Sequence, residues 1–221
     1  MEGYTLNLFL HILSLVFWLG TDVGVFVLAG FAMVKEYTID QRLLMLKVAM
    51  ILDMFPRLFM VLTLPTGFHL AVGFGLIPAG EQWVTSVWIF SFFWLVTAMV
   101  SLLNQEQPIG KVAKIIEKGF QLALFIVLVW LGVSSLVGET PIIASWVAIK
   151  VLLYAATIGI IPLLERAFMP AILGFMALPT EGSSPELEAT IQRSMGFTYA
   201  WVIAIYILVF AAAYLGVAKT V

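Results

Sequence analysis

Several apolar runs in this chain are long enough to cross a membrane as helices, and they constrain the fold more than any other feature. A helix rises 1.5 Å per residue, so about 20 apolar residues cross the roughly 30 Å of hydrocarbon in a bilayer. Because backbone groups in lipid must bond within their own segment, such runs form helices. The runs lie at about 5–33, 57–77, 83–103, 119–137, 142–164 and 195–217. The sequence therefore predicts an all-α transmembrane bundle of about six helices, forming a single transmembrane domain over residues 1–221.

The composition excludes a soluble fold of this length. Hydrophobic residues make up 62% of the 221 residues and charged residues 11%, whereas soluble domains average roughly 45–50% and about 25%. A core of this size cannot bury such an excess, so lipid must cover it. The chain has no Cys, which excludes disulfides and thiolate metal sites. It also has no basic tract, which argues against nucleic acid as a partner.

Basic residues are concentrated in alternate connections between the apolar windows. The second and fourth connections hold only the acidic residues Glu81 and Glu139. Because cytoplasmic loops are rich in Lys and Arg, this asymmetry predicts three cytoplasmic loops and both termini on the outer side. The basic residues of the first, third and fifth connections are Lys35, Arg42, Lys47, Lys111, Lys114, Lys118, Arg166 and Arg193.

Ionisable side chains inside the predicted helices are the candidate functional residues, because each one costs free energy unless it is paired or liganded. Asp22 is one of them, and an ion pair with Arg57 is its simplest expectation. In the predicted topology, His11, His69 and Lys150 reach similar depths, roughly 9 to 12 Å below the outer surface. Two neutral imidazoles at one depth can clamp a metal, and in lipid that metal is most often haem iron. The sequence thus predicts one haem b with His11 and His69 as axial metal ligands.

Other residues near these positions suit a large flat cofactor. Lys150 would face the haem propionates or act as the catalytic residue of an enzyme. Trp18 lies seven residues after His11, and Tyr154 shares a helical stripe with Lys150. Gly73 would let a ring approach the backbone. The predicted cofactor-binding residues are therefore His11, His69, Trp18, Lys150, Tyr154 and Gly73.

Three segments of the chain carry a family pattern. They are HILSLVFWLG from His11, RLFMVLTLPTGFHLAVGFG from Arg57, and WVAIK ending at Lys150. These segments resemble, in order, parts of the HemJ-type protoporphyrinogen oxidases and the related CopD-like membrane proteins. The resemblance implies a multi-pass haem b protein of the bacterial inner membrane, with His11 as ligand, Lys150 as a functional lysine and Arg57 as the matching basic residue. The chain is longer than HemJ proteins and has His69 where they carry an apolar residue.

Three functions are consistent with these observations. Two histidine ligands would favour electron transfer, as in a cytochrome b-like redox protein. The first alternative is a HemJ-like oxidase, and the second is a CopD-like copper-handling or transport protein without haem. A structural reading is also open, in which the histidines bond each other across helices and Lys150 extends to the membrane surface. The implied partners are membrane lipid, a quinone or a porphyrin, a redox partner protein and a second copy of the chain.

Overall fold

The computed structural model describes residues 2–138 and 142–219. Within these ranges the chain forms helices and no strand, so the all-α prediction is confirmed. Glu139, which the sequence analysis placed in the fourth connection, lies outside the described residues. The helices are α1 (Glu2–Ala32), α2 (Ile39–Leu52), α3 (Met54–Gly73), α4 (Glu81–Leu103), α5 (Pro108–Leu136), α6 (Ser145–Glu181) and α7 (Pro185–Ala218).

Five of these helices, α1, α4, α5, α6 and α7, are long and apolar enough to cross a membrane. Large hydrophobic side chains are exposed along them, among them Phe92, Ile126 and Phe210, as expected of surfaces that contact lipid. The chain is therefore a multi-pass helical membrane protein. The remaining predicted window corresponds to α3, which has 20 residues and contains Pro65 and His69. The side of the membrane on which the termini lie stays a prediction.

The helices extend well beyond the apolar windows at the ends predicted to face the cytoplasm. α6 continues to Glu181 and α7 begins at Pro185, so residues 182–184 alone connect them. The sequence analysis expected α6 to end near residue 164. Apolar windows end where charged residues such as Arg166 and Arg193 occur, but helical backbone bonding continues through them in water or at the interface.

The chain divides into two compact units. Unit 1 comprises Met1–Trp18, Arg57–Gly159 and Leu208–Val221, and it contains all the predicted cofactor-binding residues. Unit 2 comprises Leu19–Pro56 and Ile160–Ile207.

A buried ion pair connects α2 to α7 in unit 2. The Arg42 guanidinium donates to both carboxylate oxygens of Glu188, at 2.6 and 2.9 Å. Its Nε donates to the carbonyl of Ala32 at the end of α1 (2.7 Å), and its Cζ lies 5.5 Å from the centre of the Phe175 ring. Ser183 Oγ donates to the same carboxylate at 2.6 Å. Because every charged group has a partner, this pair fixes the ends of α1, α2 and α7 to one another.

The backbone hydrogen bonding of α6 is broken at Pro170, and a side chain of α7 supplies the missing hydrogen-bond partners. The proline has no N–H, and its ring displaces the preceding turn. Ala171 N donates to Ser194 Oγ at 2.9 Å instead of to the carbonyl of Ala167. The same hydroxyl donates to that Ala167 carbonyl at 2.5 Å. Ser194 therefore replaces one hydrogen bond of the α6 ladder.

Candidate functional site around His11

Two polar side chains of α1 bind the same turn of α3 in unit 1. His11 Nδ1 lies 2.9 Å from Thr66 Oγ1. Asn7, one turn before His11, donates from Nδ2 to the backbone carbonyl of Thr66 at 3.1 Å. Asn7 and Thr66 are both buried. His11 is thus held against α3 by its hydrogen bond to Thr66, and the neighbouring hydrogen bond from Asn7 supports this contact.

The hydrogen bonds of Thr66 determine the role of each His11 nitrogen. A threonine hydroxyl has a single hydrogen. Thr66 Oγ1 donates it to the carbonyl of Leu62 at 2.7 Å, and the carbonyl of Thr63 lies at 3.2 Å. The hydroxyl oxygen therefore accepts from His11, and we assign the imidazole proton to Nδ1. Nε2 then has an unprotonated lone pair, the form that binds a metal.

The imidazole of His11 packs directly on the backbone of α3 at Gly67. A Cβ at position 67 would lie 3.0 Å from His11 Cε1, tighter than nine in ten real contacts of this kind, and 3.8 Å from Nε2. A side chain here would therefore require the ring to shift by a few tenths of an ångström from its place beside Thr66. By contrast, a Cβ at Gly73 would have nothing within 4 Å, so the described residues show no close approach at that predicted position.

Lys150 of α6 is the second ionisable group of this site. It lies near enough to His11 for its charge to act on the imidazole. Its Nζ lies 5.9 Å from the centre of the Trp146 ring, within the range of a cation–π interaction. A Cβ at Gly216 of α7 would come within 2.7 Å of Nζ, so the missing side chain leaves room for the ammonium group. Among the described residues, Lys150 has no carboxylate partner.

Trp18 and Tyr154, the two aromatic residues of the predicted site, contact each other. Their rings meet edge to face with centroids 6.4 Å apart. Tyr154 also donates from its hydroxyl to the carbonyl of Met60 at 2.9 Å. These contacts join α1, α3 and α6 in the unit that holds His11 and Lys150.

His69 does not join this group. Its side chain is exposed, whereas Thr66 is buried and bonded to His11. A helix turns about 100° per residue, so residue 69 points roughly 60° away from residue 66 and roughly 160° away from residue 67. His11 and His69 therefore differ in exposure, and ligation of one haem by both of them stays a prediction.

Sequence analysis missed Asn7 and Thr66. A polar signal was present for both, since Asn7 lies one turn before His11 and Thr66 lies three residues before His69. The signal was overlooked because a single Asn or Thr in an apolar window is common and usually bonds its own helix.

The described residues do not form a cluster of metal-ligating side chains. Among them, no three His, Asp or Glu side chains come together to hold a metal ion.

Comparison with models of known protein families, with curated proteins and with solved structures gives no match in any of the three. The fold and the site alone define the class, which is a polytopic helical membrane protein with a polar site between its helices.

Proposed function

We propose that this chain is a haem b-binding redox protein of the membrane, in which His11 Nε2 would bind the haem iron. The bond from His11 Nδ1 to Thr66 carries this proposal. Histidines that bind a metal through one nitrogen usually donate the N–H of the other to a fixed acceptor, which sets the tautomer and the ring orientation. Haem, when bound, supplies one-electron chemistry. Thr66, Asn7 and Gly67 would hold the ligating ring in place.

Lys150 supports a ligand that carries negative charge. An ammonium group that lies in a membrane-spanning helix and has no carboxylate partner favours an anion beside it. Haem presents two propionate carboxylates, and Lys150 would pair with one of them while His11 binds the iron. Trp146, which contacts the ammonium, would limit its movement. Trp18 and Tyr154 hold the surrounding helices together and stay candidates for contact with the ring.

The second candidate function is a HemJ-like protoporphyrinogen oxidase. The proximity of His11 and Lys150 favours it, because the resemblance implies a role for both of these residues. In that case Lys150 would bind the substrate carboxylates or move a proton. No comparable observation supports the copper-handling alternative, since copper without a porphyrin would need more ligands from the protein.

An absorption spectrum of the protein, purified in detergent from a haem-producing host, tests the haem proposal. We expect a Soret band and sharp reduced α and β bands, both lost in His11→Ala. His69→Ala is the matched control on the neighbouring helix, and it should keep the spectrum. Loss in both variants would support two histidine ligands instead. A colourless wild-type protein, or a spectrum unchanged in His11→Ala, would overturn the proposal.

Complementation separates the carrier from the oxidase. Cells that lack their own protoporphyrinogen oxidase would receive the wild-type chain or Lys150→Met. Growth that depends on Lys150 supports the oxidase. Failure of the wild-type chain to restore growth, together with an intact haem spectrum, supports an electron carrier.

A further inference from the structure

Two hydrogen-bond donors are buried on α4 without an acceptor. Ser91 is 2% exposed and Trp94 is fully buried. In the described part of the chain, neither Ser91 Oγ nor Trp94 Nε1 has a hydrogen-bond partner. Burying an unpaired polar group is costly, and lipid offers nothing to replace the missing bonds. Both residues belong to unit 1, and both are distinct from the site around His11.

Two other hydroxyl groups of the same helix behave differently from Ser91. Ser86 Oγ donates to the carbonyl of Gln82 at 2.7 Å, and Thr97 Oγ1 donates to the carbonyl of Trp94 at 2.8 Å. This bond to the preceding turn is the usual arrangement for a hydroxyl in a membrane helix. Ser91 does not make it, so its hydroxyl is available to a group outside α4.

The neighbouring helix α5 brings further polar groups to the same level. α4 and α5 pack as an antiparallel pair, and the rings of Phe90 and Phe120 meet with centroids 5.3 Å apart. One turn further along α4 lies Trp94, and one turn earlier on α5 lies Glu117. Glu117 is buried and accepts from Gln121 Nε2 at 3.2 Å. The two donors of α4 thus lie beside an aromatic pair and a polar turn of α5.

This combination points to one class of ligand. The donors need an oxygen acceptor, which acyl chains lack, and the phenyl and indole rings favour a flat ring beside them. A carbonyl oxygen on a flat, lipid-soluble ring is the chemistry of a quinone. We propose that Ser91 and Trp94 form a quinone-binding site on α4, in which the carbonyl oxygen accepts from Trp94 Nε1 and Ser91 Oγ. Phe90 and Phe120 would flank the quinone ring.

Binding of decylubiquinone to the full-length chain in detergent tests this proposal. The dissociation constant would be measured by titration calorimetry for wild type, Trp94→Phe and Ser91→Ala. Each variant removes one donor and keeps most of the packing, so we expect about threefold to tenfold weaker binding. The matched controls are Trp130→Phe, at a residue 63% exposed on α5, and Ser86→Ala; both should bind as wild type does.

Several results would overturn this site. One is that decylubiquinone does not bind saturably to the wild-type protein. Another is that wild type, Trp94→Phe and Ser91→Ala have equal dissociation constants. Without quinone, Ser91→Ala should melt at the wild-type temperature or above it, because it removes an unpaired donor, whereas Trp94→Phe also leaves a cavity at a fully buried position. A marked loss of melting temperature in Ser91→Ala would show that an internal water already pairs its hydroxyl. His11→Ala should bind quinone normally, so failure of the haem proposal and failure of this one are distinguishable.

Discussion

Replacing Glu188 by glutamine tests whether the buried ion pair of unit 2 holds the ends of α1, α2 and α7 together. The carboxylate accepts three hydrogen bonds, two from Arg42 and one from Ser183, at 2.6 to 2.9 Å. Glutamine has nearly the same shape but no charge, and only its carbonyl oxygen can accept. The substitution therefore leaves a guanidinium that is buried and incompletely paired.

The magnitude follows from the burial of the pair. Both side chains are 2% exposed, so water cannot replace the lost partner. Removing one member of a buried pair costs about 3–5 kcal/mol. Glutamine keeps one acceptor and the packing, so we expect the lower end, about 3 kcal/mol in the free energy of unfolding. This corresponds to an increase of about two orders of magnitude in the unfolding equilibrium constant.

The assay is unfolding of the purified protein by SDS in mixed micelles, followed by circular dichroism. Glu186→Gln is the matched control, because this exposed acid lies two residues earlier in the same turn of α7. The double variant Arg42→Met/Glu188→Gln removes the unpaired charge as well. It should therefore lose less stability than the sum of the two single variants.

Two results would refute this reasoning. One is a Glu188→Gln protein whose unfolding free energy lies within about 0.5 kcal/mol of Glu186→Gln, the range of ordinary surface changes. The other is strict additivity in the double variant, which would mean that the two side chains act independently.

Three further predictions concern close contacts. Ser194→Ala should lower the unfolding free energy by about 1–3 kcal/mol in the same SDS assay, because Ala171 N–H loses its acceptor next to Pro170. An unchanged unfolding free energy would show that the Ser194 hydroxyl does not replace a hydrogen bond of α6. Gly67→Ala should displace the His11 ring and shift or abolish the Soret band, whereas Gly73→Ala, in open space, should leave the spectrum unchanged. Gly216→Ala should move the Lys150 ammonium and weaken haem binding in a spectral titration with little change in melting temperature; equal affinity would argue against a role for this lysine.

Some of the site could be predicted from the sequence, because the position of a residue along a membrane-spanning helix gives its depth in the membrane. The positions of His11 and Lys150 within their apolar windows predicted that the two would lie at similar depth, and the structure brings them within electrostatic range. The proton on His11 Nδ1 could not be assigned in this way. It depends on Thr66, which is 55 residues away along the chain, and on how α1 and α3 are rotated.

The sequence by itself determined the class of this protein. Its apolar runs cannot be buried by 221 residues in water, so they form membrane helices whatever their neighbours are. The tertiary structure alone decided which side of each helix faces another. α3 is apolar on most sides, so periodicity could not show that Thr66 faces α1 while His69 is exposed. The pairing of Arg42 with Glu188, 146 residues apart, had no sequence signal either. Such pairs arise from the packing of side chains, which depends on all the helices at once.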